Sequence, residues 1–327
     1  MNGSAKVIDA MSTQRIFLAR NAGLAALGAL AAGAGAFAWQ RRPPARVPSS
    51  GAHDATVAAA RRLNRAAGLI ATSTLLDSGV EHYRGTFHNK AMLTPLVVSA
   101  LTLAVSAHGI RDERKLAHRV RDPIYAAAAL TGVVGTAFHV YNIGKRPGGF
   151  CWQNLFYGSP LGAPAAVALA GLLGYYSERL RDSDASHGRP RVFRMPAGRA
   201  LAALTAAGLV ATSGEAGLLH FRGAYHDPFM FVPVTVPPIA AALLSETAAT
   251  HPHRPRRLTR WWLRLTALVG VLGAGFHVFG VSRNMGGWRN WSQNILNGPP
   301  IPAPPGFTGL ALAGLAALGL IEEHPRA

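Results

Sequence analysis

The sequence predicts an all-α integral membrane protein, built as a tandem parallel duplication of a four-helix transmembrane bundle with one further N-terminal helix. Three observations predict this fold. Nine apolar stretches have about the length of a membrane span. The second half of the chain repeats motifs of the first half in the same order. The basic residues are concentrated in alternate connections between the apolar stretches.

The apolar stretches and the charge together restrict the class of protein. The chain has 327 residues, 49% of them hydrophobic, and a formal net charge of +18. A nucleic-acid-binding protein can carry such a charge, but it does not contain nine stretches of membrane length, so we expect contacts with membrane lipid and none with nucleic acid. The stretches are 21–39, 66–82, 92–108, 123–143, 161–177, 200–219, 229–246, 262–281 and 306–321.

The duplication is visible as matched motifs 138 to 140 residues apart. Residues 67–73 read AGLIATS and residues 207–213 read AGLVATS, and later motifs keep the same order. The duplicated unit is about 115 residues long, which is the size of a duplicated bundle and not of a solenoid unit. The predicted domains are 1–60 (N-terminal membrane helix and linker), 61–180 (first repeat), 181–199 (basic linker) and 200–327 (second repeat).

The basic residues predict which side each connection faces. Sixteen of them fall in 109–122, 178–199 and 251–264, whereas the four other connections of the repeats hold seven. By the positive-inside rule the first group is cytoplasmic, in a bacterial inner membrane. Cleavage of a signal peptide at Ala36-Phe37-Ala38 would invert this arrangement, so the sequence favours an uncleaved first helix with its N-terminus outside.

Polar residues present in both copies inside apolar stretches are the candidates for function, and all of them fall on the outer side. A carboxyl within a membrane helix is costly and therefore marks a functional site, here as a proton relay, a ligand or a hydrogen-bond partner of histidine. A structural pair with a neighbouring arginine or histidine is the alternative. The acids are Asp77 and Glu215.

Matched histidines are the candidate ligands. Each of His139 and His277 ends a Gly-x-x-Gly-x-x-Phe-His-Val motif, whose second glycine lies one turn away on the same helix face. This leaves room for a flat ring bound by the histidine, or for close packing of another helix. His82 and His220 are at similar depth and could supply the second axial ligand of one haem b per repeat.

Two other chemistries use the same residues. His82, His88, His139 and Asp77 could form a non-haem metal site, repeated by their matched residues with His226 in the second half. A quinone head group could instead be hydrogen-bonded by histidine and coupled to the acid by a proton. Arg84 and Arg222, also matched, could hold a haem propionate or an anionic head group, or they could contact lipid.

In helix count and sidedness, the predicted architecture is similar to quinone-binding membrane subunits of the polysulfide-reductase (NrfD-like) type. The resemblance implies an inner-membrane redox subunit that exchanges electrons with a periplasmic oxidoreductase or cytochrome, and no residue is carried over from it. The alternatives from the sequence are a transporter built from parallel repeats, a membrane enzyme with a histidine-rich metal site, and an anchoring protein.

Overall fold

The computed structural model describes residues 51–113, 118–185, 191–192, 195–250 and 256–323, and these residues are almost entirely helical. The first half contains α1 (Gly51–Arg84), α2 (Thr94–Arg111), α3 (Arg121–Gly144), the short α4 (Trp152–Tyr157) and α5 (Gly162–Ala185). The second half contains α6 (Ala197–Arg222), α7 (Val232–Ala249), α8 (Arg257–Arg283), the short α9 (Trp291–Asn297) and α10 (Pro305–Glu323). Between the halves, β1 (Arg191–Val192) and β2 (Met195–Pro196) form a two-residue antiparallel ladder.

The protein is an all-α membrane protein by the length and composition of its helices. Among the described residues, six helical segments are long and apolar enough to cross a membrane: Lys90–Arg111, Arg121–Gly144, Ala197–Arg222, Pro228–Ala249, Arg257–Arg283 and Pro305–Glu322. The apolar stretches 66–82 and 161–177 lie on α1 and α5, which are not among the six. The stretch 21–39 and the candidate cleavage site at 36–38 lie outside the described residues.

In each half the four long helices pack as a closed ring. Helix α1 packs against α2 and α5, and α3 packs against the same two helices. Helices α6, α7, α8 and α10 repeat this arrangement. The halves meet where α1 packs along α10 and α5 contacts α6, and one apolar core of alanine and leucine side chains runs through both rings. Helix α1 begins at Gly51, within the segment that the sequence suggested as a linker.

The two ends of the molecule differ in composition. We call the end that carries His82, His139, His220 and His277 the histidine end; α1, α3, α6 and α8 finish there. The opposite end is the arginine end, where side chains from the starts of these helices meet the last turns of their neighbours. Its arginines include Arg61, Arg62, Arg121, Arg181, Arg199 and Arg260.

The connections at the histidine end have the same local geometry in both halves. Asn89 and Asp227 each cap a 3-10 turn at almost identical backbone angles, and their side chains accept the N–H two residues later. Before each cap, two consecutive non-glycine residues have positive φ: Thr86 (60°) and Phe87 (48°), and Ala224 (55°) and Tyr225 (45°). Such conformations are uncommon outside glycine and cost free energy.

The structure gives a different register for the first helix of each half than the matched motifs suggest. Arg61 donates to the carbonyl of Ile110 at 2.7 Å, and Arg199 donates to that of Ala248 at 2.7 Å, so the structural offset is 138 residues. The matched AGLIATS and AGLVATS motifs are offset by 140. They are therefore not structurally equivalent, because a two-residue shift rotates an α-helix by more than half a turn.

Glycines allow α3 and α5 to approach closely. A side chain at Gly132 would meet the backbone of Ala168, and one at Gly171 would meet the backbone of Ala129. In the second half Gly270 meets Thr308 of α10, but the counterpart of Gly171 is Ala311. Small residues at helix contacts are a general device in membranes, where packing rather than a hydrophobic driving force holds helices together.

Candidate functional site

His82 and His220 occupy the last turns of α1 and α6, and each holds the connection that follows. The Nδ1 atom of His82 is 2.6 Å from the carbonyl oxygen of Met92, and that of His220 is 2.8 Å from the carbonyl oxygen of Met230. A carbonyl oxygen only accepts, so Nδ1 carries the proton and donates.

His139 and His277 make the same kind of contact near the ends of α3 and α8. Their Nδ1 atoms lie 2.6 Å and 2.7 Å from the carbonyl oxygens of Pro160 and Pro300, which precede α5 and α10. All four rings are therefore oriented by an Nδ1–H donated to a backbone carbonyl. In the neutral form this tautomer leaves Nε2 as an acceptor or ligand, an arrangement typical of metal-binding histidines.

The four histidines form one pair in each half. His139 lies within electrostatic range of His82, and His277 lies within range of His220. No hydrogen bond to Nε2 of these four rings occurs among the described residues. The structure therefore brings the predicted pairs together, each with two free ring nitrogens.

Asp77 on α1 and Glu215 on α6 lie near the boundary between the two halves. Both are half-buried, and they lie within electrostatic range of each other. The neighbouring charges that act on Asp77 are Glu81, Arg84 and Glu215, and the one that acts on Glu215 is Arg222. Each acid is on the same helix as the first histidine of its half, five residues before it.

The surroundings of the two acids differ because of one substitution. Glu215 lies against Gly162, the first residue of α5, and takes a backbone hydrogen bond from it. The matched residue in the second half is Pro302, which has no N–H. Its carbonyl instead accepts the hydroxyl of Ser73 at 2.6 Å, one turn before Asp77 on α1. Asp77 thus lacks the backbone donor that Glu215 has.

The two matched arginines make unlike contacts. Arg84 pairs with Glu81 at 2.6 Å on the exposed surface. Leu219 replaces this acid in the second half, and Arg222 instead lies over the rings of Phe156 (5.7 Å) and Tyr157 (5.5 Å) of the first half. Arg222 therefore joins the two halves at the histidine end.

The matched histidines of the loops are less constrained. His88 and His226 are exposed, and their Nδ1 atoms contact the carbonyls of Gly85 and Gly223, three residues earlier. Within the described part of the chain, no three histidine, cysteine, aspartate or glutamate side chains come together as a metal-binding group. The suggested non-haem site, with His88 and His226 among its ligands, therefore stays a prediction.

Sequence reasoning missed a buried ionic cluster at the arginine end of the first half. Arg121 and Glu178 are buried and form a two-fold pair, with Nε–Oε1 at 2.9 Å and Nη2–Oε2 at 3.0 Å. Arg121 also donates to Asp112 at 2.8 Å and contacts His108 at 3.1 Å. The available signal was a contrast between the halves: Glu178 corresponds to Leu318 and Arg121 to Thr259.

No family model, curated protein or solved structure matches the chain.

Proposed function

We propose that the chain is a redox subunit of a bacterial inner membrane, which passes electrons between a periplasmic oxidoreductase or cytochrome and a haem b or quinone site at the histidine end. The observation that carries the proposal is the common orientation of the four matched histidines. Each ring donates Nδ1–H to a backbone carbonyl and keeps Nε2 free.

The proposed architecture has nine spans and two four-helix repeats that point the same way. The closed ring of four helices in each half supports the duplication, as do the matched turns at Asn89 and Asp227. The stretch 21–39 would be the ninth span. Because basic residues concentrate at the arginine end, that end would face the cytoplasm and the histidine end the periplasm.

Haem b is one cofactor that suits the histidine pairs. Two neutral imidazoles from different helices of one bundle are the usual axial ligands of a low-potential electron carrier, and their second nitrogens are held by carbonyls. His82 with His139, and His220 with His277, would each ligate one haem. Arg84 and Arg222 lie at the same end, where a propionate would find a cation.

A quinone suits the acids as well as the histidines. Reduction of a quinone to a quinol takes up two electrons and two protons. A histidine can hydrogen-bond a quinone oxygen, and a neighbouring carboxyl can pass a proton to it. The proximity of Asp77 and Glu215 at the boundary between the halves favours a site that handles protons, since a structural haem needs no acid pair.

The first test is the oxidised-minus-reduced visible spectrum of the full chain, purified in detergent from cells supplied with haem. We expect haem α-bands or, in a colourless sample, quinone in the organic extract. Replacement of both His139 and His277 by alanine is expected to abolish the bound cofactor, because each half then keeps a single anchored ring.

Phe138→Leu is the matched control, because Phe138 directly precedes His139 on α3 and is 52% exposed. It is expected to keep the cofactor. The proposal is wrong if the double alanine variant keeps full cofactor content, or if the native protein contains neither haem nor quinone when purified with its partners.

A further inference from the structure

The buried face of α2 in the first half carries hydroxyl groups at three positions where the matched face of α7 in the second half is apolar. The buried residues of α2 are Ser99, Thr102, Ser106 and Gly109, all of them small and three of them hydroxyl-bearing. They recur at intervals of three or four, so they share the face of α2 that points into the ring. The matched buried residues on α7 are apolar at three positions: Pro237, Ala240 and Leu244.

At the arginine end this line begins in the buried cluster. Glu178 accepts the backbone N–H of His118 at 2.8 Å and the hydroxyl of Ser177 at 3.2 Å. The rings of His108 and His118 contact each other edge to face, with centres 5.0 Å apart. His108, His118 and the Asp112 carboxyl therefore lie at the outer edge of the cluster, where protons can be exchanged with the aqueous phase.

Further inside, hydrogen bonds continue across four helices. Asn64 donates to Ser177 at 3.0 Å, and the hydroxyl of Tyr125 donates to Asn64 at 2.5 Å. The Tyr125 hydroxyl also lies 3.0 Å from that of Ser106. The cluster is thus joined to the polar face of α2. The residues matched to Asn64, Tyr125 and Ser177 in the second half are Ala202, Leu263 and Ala317, all buried.

The face of α2 then leads towards Asp77. Ser106, Thr102 and Ser99 are spaced by about one helical turn, roughly 5 Å, a separation that one water molecule bridges. Ser99 lies 3.2 Å from the hydroxyl of Thr74, both of them buried. Thr74 is three residues before Asp77 on α1, which places the two on neighbouring positions of one face.

We propose that the first half conducts protons between the arginine end and Asp77, along the Glu178 cluster, the polar face of α2 and Thr74. Hydroxyl groups and water both donate and accept, so a proton enters at one end as another leaves at the other. Between Tyr125 and Ser177 the relay passes through the Asn64 amide, whose Oδ1 takes the tyrosine proton as its Nδ2–H gives one to Ser177, so that one N–H bond is broken as well as O–H bonds. In the second half the matched face of α7 is interrupted by Pro237, Ala240 and Leu244, and Glu215 is held by Gly162.

This inference deepens the proposed function, because quinone chemistry at the histidine end needs protons. It does not depend on a bound cofactor. If the path exists, the protonation of Asp77 follows the pH on the arginine side, although the histidine end is closer. The charged groups that face Asp77 are Glu81 and Arg84 on its own helix and Glu215 on α6.

The test uses dicyclohexylcarbodiimide, which crosses membranes and reacts with protonated carboxyls in apolar surroundings. Full-length protein is reconstituted in vesicles of one orientation, with opposite pH gradients in two samples, and labelling of Asp77 is measured by mass spectrometry. We expect labelling to rise as the arginine side is acidified, by up to about tenfold per pH unit above the pKa of the carboxyl. We expect it not to change with the pH on the histidine side. Asp77→Asn verifies the labelled position.

The variant that interrupts the path is Ser99→Ala with Thr102→Val and Ser106→Ala. It is expected to remove the response to the arginine-side pH. The control is Thr247→Val on α7, since Thr247 is buried and, like Thr102, donates its hydroxyl to the carbonyl four residues earlier at 2.8 Å. The control is expected to respond as the native protein does. If the triple variant does not fold, Thr102→Val alone is compared with Thr247→Val.

Three results would overturn the proposal: labelling that follows the histidine side, labelling that follows neither side, or a path variant that responds like the control. Labelling reports the protonation of Asp77 and does not depend on the redox cofactor. A protein without haem or quinone can therefore still give the expected response, and a cofactor-bearing protein can fail to give it.

Discussion

Arg121→Thr is expected to destabilise the folded protein by about 3–5 kcal/mol, the cost of leaving a buried charge without its partner. Arg121 is 1% exposed and Glu178 is fully buried. Removal of the guanidinium leaves the buried carboxylates of Glu178 and Asp112 without the cation that pairs with both of them. We expect the variant to lose its monodisperse fraction at a much lower temperature than the native protein in the same detergent.

The second half provides the matched rescue. At the positions of Asp112, Arg121, Glu178 and Arg181 it carries Thr250, Thr259, Leu318 and Ile321. Exchanging all four residues of the first half for these is expected to recover most of the lost stability, because replacing a buried ionic group by apolar side chains of similar size is often neutral or stabilising.

Equal thermal stability of Arg121→Thr and the native protein would show that the cluster is hydrated and not truly buried. The four-residue exchange is expected to affect the stability of the protein and its proton conduction differently. It is expected to fold, but Asp77 labelling should no longer respond to the arginine side, because Glu178, where the proposed path begins, is then a leucine.

Gly171→Leu is expected to separate α3 from α5 and to prevent normal folding, at a cost of about 1–3 kcal/mol or more. The new side chain would meet backbone atoms of Ala129 and Tyr125, which cannot move away as a flexible side chain can. Because His139 on α3 is anchored to the carbonyl that precedes α5, the same substitution should also weaken the Pro160 contact of that ring.

Gly275→Leu on α8 is the control. Nothing lies within 4 Å of a Cβ placed there, and the position is exposed, so we expect the leucine to extend into lipid without a clash. The measurement is the yield of monodisperse protein and its cofactor content for the two variants. A Gly171→Leu protein with native yield and cofactor content would show that the α3–α5 contact is wider than the structure has it.

Much of the fold could be predicted from the sequence, because the apolar stretches fix where helices lie. Helices α2, α3, α7 and α8 fall on predicted stretches, and Pro95 and Pro233 mark the starts of two of them. The register of α1 against α6 could not be read from sequence identity. In these helices the contacts of Arg61 and Arg199 with the next helix give an offset of 138 residues, whereas the AGLIATS and AGLVATS motifs give 140.

The site was predictable in part for the same reason. Matched polar residues identified His82, His139 and their counterparts, since polar groups in apolar helices stand out. The carbonyl partners of these rings were not predictable, because Met92 and Pro160 take part through their backbone. The cluster around Arg121 could not be found from matched residues, because only the first half contains it.

The residues with positive φ at 86–87 and 224–225 strain the two loops that His82 and His220 hold closed. Two consecutive non-glycine residues in this region hold a free energy of about 1–3 kcal/mol each. The Nδ1–H bonds from His82 to Met92 and from His220 to Met230 close the loops that contain them. A ring that turned away to bind something else through Nδ1 would release its loop, so ligation at these histidines is compatible with the observed loops only through Nε2.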